Sequence, residues 1–257
     1  MTATEKAFEK MGARLKVLNT PIHMPRGRLR QGQIEPIPAR LDIRRDSEGE
    51  FFEITVGSGQ PEIIQVQPDR RHLLLMIRDG KEKNKYLCGH DERHWFVAAV
   101  PPDPGVTTVE TAMRALKPRG LKDVGGVIRQ GEWFAVPRPY FDETRGIHCH
   151  NEPISRGRGK PHICEHLIRR GGTTVYLGMG LPETGVTLAE YEKMVKADPK
   201  LAKNSHRTRT MTRGAEVFAM GAMRHPDHKT VHLDGWHQIF LNRESDAPHA
   251  TKVVFLD

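Results

Sequence analysis

The polar and apolar positions of this chain alternate mostly with a period of two. "EFFEITV" sets Phe52, Ile54 and Val56 on one side, and "EIIQVQ" repeats the device with Ile64 and Val66. Such alternation predicts half-buried β-strands. "RHLLLMIRDG" is a continuous apolar run closed by an Asp-Gly turn, which predicts a strand buried on both faces. "HWFVAAVP", "EWFAVP", "TTVYLG", "AEVFAMGAM", "KTVHL", "WHQIFLN" and "TKVVFLD" extend the series.

A period near 3.6 replaces it at three places, each opening on threonine with glutamate three residues later: Thr2/Glu5, Thr107/Glu110 and Thr187/Glu190. This is the capping-box pattern, in which the two side chains satisfy free backbone N–H groups. The first helix would carry Phe8, Met11, Leu15 and Leu18 on one face and break near Pro21. The second carries Val109, Met113 and Leu116 before Pro118; the third carries Leu188, Tyr191 and Val195 before Pro199. Too few helices for βαβ alternation predict an α+β fold, mostly antiparallel sheet with three short amphipathic helices. The glycine- and charge-rich "PRGLKDVGG" divides two expected sheet units, residues 1–120 and 126–257.

One phrase occurs twice. Arg30-Gln31-Gly32 and Arg129-Gln130-Gly131 each lead through a polar turn into an apolar stretch that ends at Pro38 or Pro137. Glycine permits the turn, and proline closes a strand only at its edge or end. Gly32 and Gly131 are therefore expected in turns before extended segments, with Trp133 in the core.

At 257 residues the chain can bury a real core. No apolar run approaches the roughly 18–20 residues of a membrane span. The N-terminus lacks a secretory h-region, so a cytoplasmic location is the expectation. Three cysteines make an odd set, which argues against a disulfide framework. The net charge of +8 favours a polyanionic partner, nucleic acid first, because neutralising phosphates releases counterions. Arg156, Arg158 and Lys160 in "ISRGRGK", with Arg207, Arg209 and Arg213 in "HRTRTMTR", are the candidate contacts. The aromatic content of 6% argues against an extended base-stacking platform.

The fourteen histidines are clustered. "GIHCHNEP" holds His148, Cys149 and His150, and "GKPHICEHLIRRGG" holds His162, Cys164 and His166. "MRHPDHKTVHLDGWHQIF" holds His225, His228, His232 and His237. Imidazole and thiolate are the preferred ligands of zinc and related metals. His162 and His166 would share a face as a helix or as a strand; Cys164 joins them only on a strand. In "HPDH" the central Pro-Asp favours a type I turn that brings His225 and His228 together, and alternation would then align His228, Thr230 and His232. A zinc or other divalent site is expected from His162, Cys164, His166, His225 and His228. "CGHDERHWF" (Cys88 to Phe96) mixes donors and a general base, but reads more simply as a solvated hairpin end.

"RQGEWFAVP", the His/Cys segment and "HPDHKTVHLDGWHQIFLNRE" together resemble a group of uncharacterised bacterial proteins. In these an Arg-Gln-Gly-acidic strand opening is followed by Gly-His-x-His, an acidic His-x-x-His turn and a strand ending in Arg-Glu. The likeness covers about the last half of the chain, and "KPHICEH" stands where the group has Gly-His-x-His. It implies that Arg129, Gln130, Gly131, His162, Cys164, His225, His228, Arg243 and Glu244 form one spatial unit.

The resulting expectation is a metal-binding protein with a nucleic-acid-contacting surface. One alternative is a metal-dependent phosphodiesterase or other hydrolase. There Arg156, Arg158 or Arg209 holds a phosphate, and Glu165, Asp227 or Asp234 serves as base. Another is a metal-free assembly component that binds a protein partner.

Overall fold

The structure, a computed structural model, describes residues 1–19, 39–121, 124–155, 160–182, 184–202 and 208–247. The first Arg-Gln-Gly phrase, the "TKVVFLD" strand, and Arg156, Arg158 and Arg207 lie outside the described residues. The fold is α+β; the described residues form three α-helices and several sheets whose pairings are antiparallel except one.

Helix α1 (Ala3–Met11) starts at the Thr2/Glu5 capping box and buries Phe8 and Met11. It stops about two turns sooner than the apolar spacing suggested. Gly12 adopts φ +84 and donates its N–H back into the last turn, a left-handed cap glycine takes without Cβ strain. Leu15 and Leu18 consequently belong to strand β1 (Leu15–Leu18), which pairs parallel with β3 (Gly49–Val56); β3 pairs in turn with β2 (Ala39–Asp46).

A four-stranded meander follows: β4 (Gln60–Gln67), β5 (His72–Asp79), β6 (Glu82–Asp91) and β7 (His94–Val100). The apolar run in β5 is buried on both faces. Leu73, Leu75 and Ile77 meet Phe8, Phe52 and Ile54, while Leu74 packs with Leu87, Val100 and helix α2 (Val109–Leu116). The cap of α2 falls one residue later than the sequence pattern. Thr108 and Thr111 satisfy each other's backbone N–H groups, and Glu110 accepts instead from the Gln67 amide.

Beyond residue 126, β8 (Ile128–Gln130), β9 (Trp133–Pro137), β10 (Ile147–Ile154), β11 (His162–Arg170), β14 (Glu216–His225) and β15 (His228–Leu241) form a six-stranded sheet in the order β10-β11-β14-β15-β9-β8. A separate ribbon pairs β12 (Thr173–Leu177) with β13 (Arg209–Arg213). Helix α3 (Leu188–Ala197) uses the Thr187/Glu190 box but buries none of its residues; Tyr191 stacks on Tyr176 of β12. The large sheet encloses its own core of Ile154, Cys164, Leu167, Ala219, Met223, Leu233 and Ile239.

The two groups of sheets touch through specific polar contacts. Past β15, Glu244 accepts from the Ala99 N–H at 3.0 Å, and Arg243 bonds Asp103 and the Ala115 carbonyl. Ala247 joins the core around Phe8.

Candidate metal centre

Three neighbouring strands of the large sheet bring histidines to one end of its core. His162 opens β11, His225 closes β14 and His228 opens β15. His225 and His228 are direct cross-strand partners flanking the Pro226-Asp227 turn, the pairing that turn chemistry predicts. One extra residue on β15 between Met223↔Val231 and His225↔His228 is a β-bulge. It turns His228 toward the core side with Val231. His232 is exposed, so the expected alignment of His228, Thr230 and His232 does not form.

A second bulge separates the other predicted donors. The β11–β14 register shifts between Cys164↔Met223 and His166↔Met220. Past it Leu167, not His166, takes the core position. Gly221, at φ +81, leaves no room for a Cβ against Glu165, whose carboxylate accepts from the Ala222 N–H at 2.8 Å. His166 pairs instead with His150, ring centroids 4.9 Å apart, so His162 and His166 do not face together as the sequence suggested. Cys164 is packed in the core among Ile154 and Met223, and burial pushes its thiol up to about 12.

His162, His225 and His228 form a compact triad. Ring centroids lie 4.3 Å apart for His162–His225, 5.7 Å for His162–His228 and 4.7 Å for His225–His228. Their nearest donor nitrogens all fall within 4.8 Å of one another, close enough to hold one metal ion. His162 is 1% exposed, and neither of its ring nitrogens has a hydrogen-bond partner; buried Nδ1 of His228 also lacks one. Buried polar atoms are normally paired, so this concentration needs a reason. His225 is engaged: Nδ1 accepts from the Asp227 N–H at 3.1 Å, which leaves Nε2 to donate to the Lys160 carbonyl at 3.2 Å.

Electrostatics keep His162 and His225 neutral, although His225 must give up one of its two hydrogen bonds to offer a lone pair to an ion. Burial, then the neighbouring His225 and His228, lowers His162 to about 3. Burial followed by His228 also lowers His225, against the opposing effect of the Lys160 carbonyl and Asp227. Neutral imidazole is the metal-binding form.

The second Arg-Gln-Gly phrase closes over this triad. Gly131 sits at φ +57 in the β8–β9 turn, where a glycine was expected. A Cβ there would lie 2.9 Å from His228 Nε2 and 3.5 Å from His162 Nε2, so only glycine fits this close against the two rings. Gln130, 2% exposed, donates through Nε2 to the carbonyls of Met223 at 3.3 Å and Lys229 at 2.5 Å, tying edge strand β8 to the β14–β15 tip. The Trp133 ring packs beside the core at a steep angle to the His162 ring, their centroids 6.3 Å apart. The turn expected of this phrase is present, and its glycine also lies against the His228 and His162 rings.

The β6–β7 hairpin braces the triad from the other group of sheets. Glu92 accepts from the Lys229 N–H, and Asp91 lies 3.5 Å from Arg129, whose Nε donates to the Gly131 carbonyl. His94 places Nδ1 2.6 Å from Glu50 and Nε2 3.8 Å from Asp227. Burial raises the Asp227 carboxyl, but Lys160 at 2.7 Å, with His225 and His94, outweighs it and holds the group below its ordinary value. The "CGHDERH" segment is thus a hairpin end, as expected, though its tip contacts protein on one side.

Of the expected basic contacts, Lys160 is paired with Asp227, Arg213 donates to the Thr184 and Gly185 carbonyls, and Arg209 is exposed on β13. Arg243 and Glu244 sit at the 3₁₀ turn Arg243–Asp246, bonded to Asp103 and Ala99. Compared with known proteins, the chain matches no family model, no curated sequence and no solved structure.

Proposed function

We propose that this protein binds zinc or a related divalent transition metal through His162, His225 and His228, and uses the remaining position for a ligand. The observation that carries this reading is His162, a buried imidazole with two unpartnered nitrogens beside two further histidines, under a glycine whose place no larger residue can take without moving His228. Structural zinc sites usually have four protein ligands, whereas catalytic ones have three and an open position. Cys164 in the core and His166 beyond the bulge leave three. That count favours metal-assisted chemistry, with hydrolysis by an activated water as the reaction class. Of the nearby carboxylates, Glu165 caps Ala222 and Asp234 is exposed, leaving Asp227 next to the triad.

Metal content is the first measurement. One zinc per chain, binding abolished by His162→Ala, and added stability of about 2.7 kcal/mol at a hundredfold excess over Kd are expected. A parent protein that takes up no zinc, cobalt or manganese ends the proposal.

A second reading rests on charge. The net +8 supports a polyanion, nucleic acid in particular, as partner or substrate. Its test is duplex and single-strand binding against salt, with the log-log slope falling when Arg156, Arg158 and Lys160 are replaced together. Binding independent of salt, or none, assigns the charge to another role.

A further inference from the structure

The ribbon of β12 and β13 takes no part in the histidine site, yet it continues the ladder that carries it. Arg170 faces Glu216 at the end of the β11–β14 pair, and Thr173 faces Arg213 further out along the same two chains, in the same register. Gly171, Gly172 and Gly214, all at positive φ, lie between. On its other edge β14 is covered by β15 as far as Val217. Its continuation β13 pairs with no described strand except β12, and every residue of β13 is exposed.

The hydrogen bonds of β12 show which backbone groups β13 leaves open. Tyr176 donates its N–H to the Val186 carbonyl at 2.7 Å and accepts from the Val186 N–H at 3.0 Å, so neither group points at its cross-strand partner Thr210. In an antiparallel pair such residues alternate with fully bonded ones. Thr210 and Thr212 therefore turn N–H and C=O away from β12, and these groups have no hydrogen bond among the described residues. Period-two alternation puts Arg209, Met211 and Arg213 on one face of the strand, with Met211 50% exposed. An edge of this kind is a template for a further strand.

We propose that β13 is a docking edge for an extended acidic peptide of a partner protein, added antiparallel beside it. Strand addition draws affinity from main-chain bonds, here at Thr210 and Thr212, and specificity from alternate side chains. Charge selects the occupant. Arg209 has no partner among the described residues. Arg213 uses Nη1 on the Thr184 and Gly185 carbonyls at 3.3 and 3.2 Å and lies near Glu190, so Arg209 is the stronger anchor. Arg-Thr-Met-Thr-Arg reads the same in both directions, and a second copy pairing about Met211 would set Arg209 against Arg213 twice. Like charges directly opposite destabilise a strand pair, whereas a carboxylate at each place stabilises it. The fitting sequence is acidic-x-apolar-x-acidic, its apolar residue opposite Met211. A nucleic acid would also meet the arginines, but it has no use for an open backbone edge.

The test is fluorescence anisotropy with the dye-labelled peptide Thr-Glu-Thr-Val-Thr-Glu-Thr and its lysine-for-glutamate counterpart. The glutamate peptide should bind the full-length parent, and the lysine peptide at least about tenfold more weakly. Arg209→Glu exchanges a favourable pair for an unfavourable one and should also weaken the glutamate peptide about tenfold. Thr212→Pro removes one outward N–H and leaves the β12 ladder its bonds, so it should fold yet bind the peptide at least about tenfold more weakly. Should that variant not fold, N-methylation of the two threonines beside the peptide's valine blocks the same bonds from the other side, with the same loss expected. No binding of the glutamate peptide below about 1 mM overturns the proposal, as does binding that survives Thr212→Pro or N-methylation. A DNA or RNA duplex that Arg209→Glu releases and Thr212→Pro retains would give the edge to nucleic acid instead. A parent dimer that Thr212→Pro dissociates would give it to a second copy, and either result overturns the peptide.

Discussion

Gly131→Ala offers the sharpest separation of chemistry from architecture. At φ +57 an alanine in the left-handed region costs about 1–2 kcal/mol of backbone strain. Its methyl would also lie 2.9 Å from His228 Nε2, closer than carbon and nitrogen ordinarily approach, so the ring must turn away. The ring is the movable partner, because the turn is held by Gln130 on Met223 and Lys229 and by Arg129 on the Gly131 carbonyl. Turning His228 withdraws one of three ligand atoms. Disturbing only the surroundings of a ligand costs about 10–100-fold in metal affinity, so loss of the ligand itself should cost at least that.

The control is Gly80→Ala. Gly80 has the same φ, +57, in the β5–β6 turn, with nothing within 4 Å of an added Cβ. It isolates the backbone strain. Both variants should lose about 1–2 kcal/mol in denaturant unfolding of the apo protein, with midpoints about 2–4 °C lower per kcal/mol on heating. Zinc affinity, measured by competition against a chromophoric chelator, should fall in Gly131→Ala alone. Equal zinc affinity in Gly131→Ala and parent would refute the assignment of His228 to the metal; equal losses in both variants would mean that strain, not contact, governs the site.

Other expectations follow from the same geometry. Cys164→Ala and His166→Ala should each retain zinc within about threefold, where tenfold is 1.4 kcal/mol, since one faces the core and the other lies past the bulge; equilibrium dialysis decides. His94→Ala should weaken zinc about tenfold, the lower end of outer-shell effects, with His94→Gln partly restoring it; unchanged affinity in both variants would dismiss the bracing role. The stability of the apo protein should fall as pH drops from about 6.5 toward about 3. Folded His162 has its pKa lowered to about 3, so over that window the unfolded chain binds the proton that the folded chain refuses. His162→Leu should remove this contribution to the slope and also abolish zinc binding, both visible in urea titrations at pH 7.5 and 5 with and without metal.

Much of the framework was legible in residue order. Period-two alternation located the strands, and the unbroken apolar run over β5 signalled burial on both faces, because a central strand has no solvent side. "HPDH" announced its own turn and with it the His225–His228 pair. What sequence could not show were the two bulges. Whether His166 stays with His162 depends on where β14 inserts Gly221 against Glu165, and whether His232 stays with His228 depends on the β14–β15 register. Both are properties of strand pairs, invisible in either strand alone. The capping shift at α2 has a similar origin: Glu110 is drawn off by Gln67 of β4, so the adjacent threonines make the box instead.

The same logic explains why an N-terminal hairpin bears on a C-terminal site. His225 and His228 ride on a two-residue turn, and a free hairpin tip holds its side chains loosely, whereas a metal needs its ligands fixed to a fraction of an ångström. The tip is pinned from three directions: Lys160 and His94 on Asp227, Glu92 on the Lys229 N–H, and Gln130 on the Lys229 carbonyl. Two of these pins come from β6–β7, and the Glu50 carboxylate behind His94 accepts from both its ring and the Trp95 N–H. In the metal-free protein these contacts hold together an arrangement that leaves both nitrogens of His162 and Nδ1 of His228 without a hydrogen-bond partner among the described residues, a local cost. A fold that fixes such a site before its ligand arrives spends stability on preorganisation, and regains it on binding. Zinc should therefore stabilise against unfolding less when His94 is replaced, even though His94 touches no ligand ring and lies in a different sheet.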